Sequence, residues 1–88
     1  VKYRKSENWL DAAVQDEMLL MCSETGAFRS LNETGAFLWQ QLDHPRAAPD
    51  LAASLAAEFA VTEAQALGDT EAWLADMAQE GIICAVDG

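Results

Sequence analysis

Basic residues are scarce in this chain: five Lys and Arg stand against fifteen Asp and Glu, for a formal net charge of −10 with the one His neutral. Proteins that hold nucleic acid do so with a cationic surface that displaces counterions from phosphates. Here the sole basic cluster is Lys2, Arg4 and Lys5 at the N-terminus, so no nucleic-acid partner is expected. Metal- and disulfide-forming residues are as sparse. Cys22 and Cys84 lie far apart with no CxxC spacing and His44 stands alone, which points to neither a metal site nor a disulfide framework. A buried free Cys packs as a small hydrophobe. No apolar run approaches the roughly 20 residues that cross a bilayer. The opening "VKYRKSENW" has basic residues without the apolar segment that follows them in a signal peptide, so a cytoplasmic protein with no membrane partner is expected. There is no glycine-rich phosphate loop, no Cys/His pairing and no marked pair of carboxylates, so the chain reads as non-catalytic, with no cofactor.

What is present fits one small domain. A chain of 88 residues, 51% hydrophobic, folds around a single core and buries roughly 60 to 65% of its unfolded surface, too little to enclose a large internal active site. The excess of acid reads first as solubility and second as steering toward a cationic partner.

The first third of the chain reads as short strands. "WLDAAV" is one; "EMLLMC" is another, with Met18, Leu20 and Cys22 on one face and Leu19 and Met21 on the other. Apolar residues on both faces suggest a buried middle strand. "SETG" supplies a glycine for a hairpin turn, and "AFRSL" returns with Phe28 and Ser30 facing opposite to Ala27, Arg29 and Leu31.

Helices follow. In "LNETGAFLW" Asn32 can cap a helix whose Gly35, Leu38, Trp39 and Leu42 fall on one stripe, with Phe37 off it, either on a second contact face or exposed. "DHPRAAP" breaks the pattern. A second helix carries Ala52, Leu55, Ala56 and Phe59 on one side, with Pro49 in its first turn and an end near Ala60. "TEAQ" has capping-box spacing and opens a third helix at Thr62, with Ala66, Thr70, Trp73, Leu74 and Met77 on its apolar side and Gly81 as its stop. Gly68 marks a kink or break within it. "IICAV" has the β-branched content of a short strand or a packed extended end.

Three strands and then three helices give an α+β, winged-helix-like arrangement: a three-stranded antiparallel sheet beside three helices. The expected organisation is a flexible N-terminal segment at residues 1–8, the domain at 9–83 and a C-terminal tail at 84–88. Such folds often bind DNA, and a nucleic-acid-binding or regulatory protein-interaction domain is the alternative reading. A third helix bearing Glu63, Asp69, Glu71, Asp76 and Glu80 with no Lys or Arg argues against a major-groove role.

Taken jointly, "LNETGAFLW", "DLAASLAAEFAV" and "DTEAWLADMAQEGII" resemble the PqqD family, small proteins named after pyrroloquinoline quinone synthesis and also called peptide recognition elements. The resemblance covers roughly residues 9 to 83. It implies a domain without catalytic residues that captures the leader segment of a ribosomally made precursor peptide and delivers it to a tailoring enzyme such as a radical enzyme, a protease or a cyclase. It further implies that the leader adds a strand between the third strand, Ala27, Phe28, Arg29, Ser30 and Leu31 here, and the third helix, from about Asp69 to Gln79. Two positions depart from the family pattern: Ala47 replaces the threonine that commonly opens the second helix, and Thr70 a β-branched apolar residue.

This binding mode is physically sensible, since an edge strand offers unpaired N–H and C=O groups while pockets at alternate positions select side chains. Trp73 and Met77, one turn apart, are either ordinary core or the floor of such a pocket, with Thr70 behind them and Asp69, Asp76 or Glu80 at the rim. Phe28 is assigned to the core or pocket. Arg29 is assigned to the exposed side, as a partner for an acidic leader residue or a solvated charge. An open sheet edge leaves the chain a monomer or a strand-exchanged dimer.

Overall fold

A computed structural model of the chain describes residues 1–14 and 17–86. The elements run β1 (Lys2–Lys5), β2 (Trp9–Val14), β3 (Glu17–Cys22), β4 (Phe28–Leu31), α1 (Glu33–Gln41), α2 (Ala48–Phe59), α3 (Glu63–Gln79) and β5 (Ile83–Val86). The three strands and three helices expected from periodicity are β2 to β4 and α1 to α3, so the α+β class stands.

Strands β2, β3 and β4 form an antiparallel sheet in that order, with Leu10 opposite Met21 and Met21 opposite Phe28, and with Asp11 opposite Leu20 and Leu20 opposite Arg29. Helix α1 packs on β3 and β4, and α2 and α3 complete the core on the same face of this sheet. Leu20, Cys22 and Leu31 are therefore buried, and Met18 and Trp9 pack against the core. The other face has no cover among the described residues: Leu10 is 55%, Met21 38% and Phe28 68% exposed. The expectation that the middle strand is buried on both sides is corrected, because a sheet with helices on one side buries only alternate residues.

The helix ends form as their sequences dictate. The Asn32 side chain accepts from Gly35 N–H (2.8 Å), and the Thr62 hydroxyl accepts from Gln65 N–H (3.1 Å). Helix α2 begins after Ala47, which offers no side-chain cap, with Pro49 in its first turn. Helix α3 runs unbroken through Gly68, contrary to the expected kink. It stops at Gly81, whose φ of +75° allows Ile82 N–H to reach the carbonyl of Met77 (2.9 Å) and Gly81 N–H that of Ala78 (3.1 Å), a Schellman closure. Ile82 then enters the core fully buried.

Leu38, Trp39 and Leu42 from α1, Leu51 and Leu55 from α2, and Leu74 and Met77 from α3 fill the space over the sheet. Trp39 is 1% exposed, and its indole N–H donates to Asp11 Oδ2 (2.7 Å) while Lys5 Nζ sits 4.8 Å from the ring centroid. Phe37 packs edge-on against Phe59, with ring centroids 5.6 Å apart, so its position off the main stripe is a second contact face.

Both ends of the chain differ from expectation. Residues 1–8, expected as a flexible segment outside the domain, contain β1, and the expected tail contains most of β5. These two strands pair antiparallel, with Arg4 opposite Cys84. Tyr3 and Arg46 exchange two backbone hydrogen bonds (2.7 and 3.0 Å), and Ser6 N–H donates to the Ile82 carbonyl (3.0 Å). The pairing was hidden because strand partners 80 residues apart leave no local pattern, and because three cations in one short strand read as a solvated terminus. Residues 87 and 88 of the expected tail lie outside the described residues.

Candidate functional site

Strand β4 is an edge of its sheet, and β5 pairs with β1 in a separate two-stranded sheet. Cys22 N–H donates to the Ala27 carbonyl (2.8 Å), so Cys22 and Ala27 are a hydrogen-bonded pair. Alternation along an antiparallel ladder gives Leu20–Arg29 and Met18–Leu31 the same type and turns the N–H and C=O of Phe28 and Ser30 away from β3. Two residues of the free margin thus present donor and acceptor groups outward.

Beside that margin runs a groove of about 370 Å³ walled by Arg29, Ser30, Leu31 and Asn32 on one side and Trp73, Asp76 and Met77 of α3 on the other. Met77 is 1% exposed and belongs to the core as well as to the groove floor, while Trp73 is half-buried. Each of the two residues packs inward on one side and borders the groove on another.

Arg29 and Phe28 are exchanged relative to expectation. Leu31 is buried at 7% exposure and sets the register, and the period of two carries Arg29 to the same, helix-facing side. There Arg29 Nη2 lies 2.5 Å from Asp76 Oδ2, and Nη1 pairs with Glu80 Oε2. Phe28 points to the open face of the sheet. Its aromatic character suggested burial, but on a short edge strand the best-buried residue decides which face is inside.

The remaining expected residues divide. Ala27 lies in the turn before β4, its N–H donating to Thr25 Oγ1 (3.2 Å). Thr70 is fully buried and its hydroxyl has no hydrogen-bond partner, so it belongs to the core and not to the groove surface. Asp69 lines an adjoining hollow of about 260 Å³ with Asn32, Thr34, Gly35, Leu38, Ala72 and Trp73. Asn32 was not foreseen as a wall residue. Its signal lay in its position directly after the third strand, where capping alone accounted for it.

Little at this site resembles catalytic chemistry. Among the described residues no group of three or more His, Cys, Asp or Glu side chains could hold a metal ion. His44 Nε2 sits 3.2 Å from Arg46 Nη2, and both cysteines are free. Hydrogen bonds from the Thr25 side chain and from the Thr25 and Glu24 backbone hold the Cys22 thiol below its ordinary pKa. Among the described residues no helix is long and apolar enough to cross a membrane.

Comparison with known proteins agrees with this geometry. The family model of coenzyme PQQ synthesis protein D (PqqD) matches residues 17–83. Among solved structures, TbiB1 in complex with the TbiA(beta) leader peptide is 20% identical, with a TM-score of 0.84 over 97% of this chain and 99% of that one. Lasso peptide synthetase B1 complexed with the leader peptide is 24% identical, with a TM-score of 0.82 over 97% of this chain and 100% of that one. No curated protein matches the sequence. At these identities the two structures establish a shared fold, which spans nearly the whole of all three chains.

Proposed function

Since the chain belongs to the PqqD family, we propose that it is a non-catalytic carrier that captures the leader segment of a ribosomally synthesised precursor peptide. The leader adds as a strand to the free margin of β4, in the groove facing α3, and the bound precursor is presented to a tailoring enzyme. The observation that carries this reading is the outward set of backbone groups on Phe28 and Ser30 beside the groove that faces α3. Backbone pairing supplies affinity that tolerates sequence variation, and the mixed lining of the groove, with Trp73 beside Ser30, Asn32 and Asp76, selects side chains at alternate leader positions. Both structural neighbours were solved with a leader peptide, which supports leader binding here.

Holding the leader raises the effective concentration of the modifiable segment at the enzyme, so moderate affinity, on the order of micromolar or about −8 kcal/mol, is sufficient. The enzyme it serves is a radical enzyme, a protease or a cyclase. The reading includes a cytoplasmic location, where a ribosomal peptide meets its first tailoring enzyme.

The test is a titration of the isotope-labelled protein with leader segments of precursors encoded beside its gene, followed by amide chemical shifts. Changes across Phe28–Leu31 and along α3 from Asp69 to Gln79 are expected. Binding that moves α2 and leaves β4 untouched would overturn the proposal.

A further inference from the structure

The groove beside β4 is closed at one end and open at the other. At the Phe28 end Arg29 reaches across to Asp76 and Glu80 and ties the strand to α3. At the Asn32 end the groove shares Asn32 and Trp73 with the hollow at the start of α1. That hollow in turn shares Thr34 and Asp69 with a further one of about 300 Å³, walled by Leu55, Phe59 and Val61. The three hollows adjoin one another along α3, from Asp76 past Trp73 to Asp69 and Gln65. A Cβ on Gly35 would lie 3.0 Å from Trp73 Nε1 and 3.2 Å from Asn32 Oδ1, so glycine lets the indole rest closely against the first turn of α1 as the wall common to the first two hollows.

The chemistry changes along this row. The last hollow sets Leu55, Phe59 and Val61 beside the polar Thr34 and Gln65, while Asp69, an exposed carboxylate, stands where the second meets the third. None of the three helices carries a Lys or Arg, so Asp69 has no cation from its own or a neighbouring helix.

We propose, resting on the leader-binding reading above, that the bound peptide continues past the Asn32 end of β4, sets a Lys or Arg against Asp69, and seats a large apolar side chain between Leu55, Phe59 and Val61. Adjacency to the strand-addition groove supplies the route, and the uncompensated acid selects the cation. The peptide class recognised is then an extended segment flanked on one side by a basic and then a bulky apolar residue, in the order in which the hollows occur.

The experiment selects binders from a display library of random 20-residue peptides and maps them by amide shifts on the labelled protein. Shifts at Phe28–Leu31 together with Val61 and Gln65 are expected. The Asp69→Lys variant, altered at an exposed position that leaves the fold intact, should bind about tenfold more weakly. Exchanging the peptide's basic residue for Glu should restore the affinity. Val61→Glu should weaken binding similarly, with thermal unfolding confirming that the variant is folded. Binders that shift β4 and Trp73, leave Val61 and Gln65 unmoved and ignore Asp69→Lys would overturn the extension and leave strand addition intact. Binders that bypass β4, or a library yielding none, would overturn both.

Discussion

Trp73 rests on Gly35: a Cβ built on the glycine would come within 3.0 Å of the indole nitrogen, which is buried and has no hydrogen-bond partner. Alanine at this position would gain about 1 kcal/mol of helix propensity but lose about 1 to 3 kcal/mol to overpacking against Trp73 and the Asn32 cap. Gly35→Ala is therefore expected to lower stability by about 1 kcal/mol in urea unfolding and to shift the Trp73 indole N–H resonance. A more stable variant with an unmoved indole signal would show that the contact has slack.

The margin of β4 makes a prediction about the free protein. Amides of Phe28 and Ser30, which face away from β3, should exchange with solvent faster than those of Arg29 and Leu31, which face into the ladder. Added peptide should slow the first pair more than the second. Equal protection of all four in the unbound protein would mean that the strand is already covered.

Thr70 is fully buried with an unpaired hydroxyl. Valine has the same shape without the polar group, so Thr70→Val is expected to stabilise the fold by up to about 1 kcal/mol, read as a higher urea midpoint at unchanged slope. A loss of stability would reveal a hydrogen bond, for example to a buried water, that the hydroxyl makes in solution.

Helix α2 ends on Ala60 in the left-handed region, at φ 55° and ψ 42°. An L-residue with a Cβ is strained there and glycine is not, so Ala60→Gly should add about 0.5 to 1 kcal/mol of stability even though glycine gains entropy in the unfolded chain. Thermal unfolding at matched concentration measures it, and a lower midpoint would mean that the unfolded-state term dominates.

Local chemistry was readable along the chain wherever a residue acts on its near neighbours. Asn32, Thr62 and Gly81 each determine a helix end through bonds that span three to five residues, and the stripes of α1, α2 and α3 follow from spacing alone. Charge was equally legible, since a helix without Lys or Arg has that property in any fold. The joint pattern of segments was enough to indicate the family, and with it the strand and helix that flank the groove.

What tertiary structure decided was every choice between equivalent local options. In "AFRSL" the period of two separates Phe28 from Arg29, but which of them faces α3 depends on Leu31 finding the core. Thr70 could be a pocket residue or a buried one until Leu74 and Met77 set the rotation of α3. The pairing of β1 with β5 joins the two ends of the chain, and among the described residues no strand pairs with the outer margin of β4. Sequence alone determined which surfaces and elements exist; only packing, which acts between residues distant along the chain, determined which faces were covered and which edge stayed open.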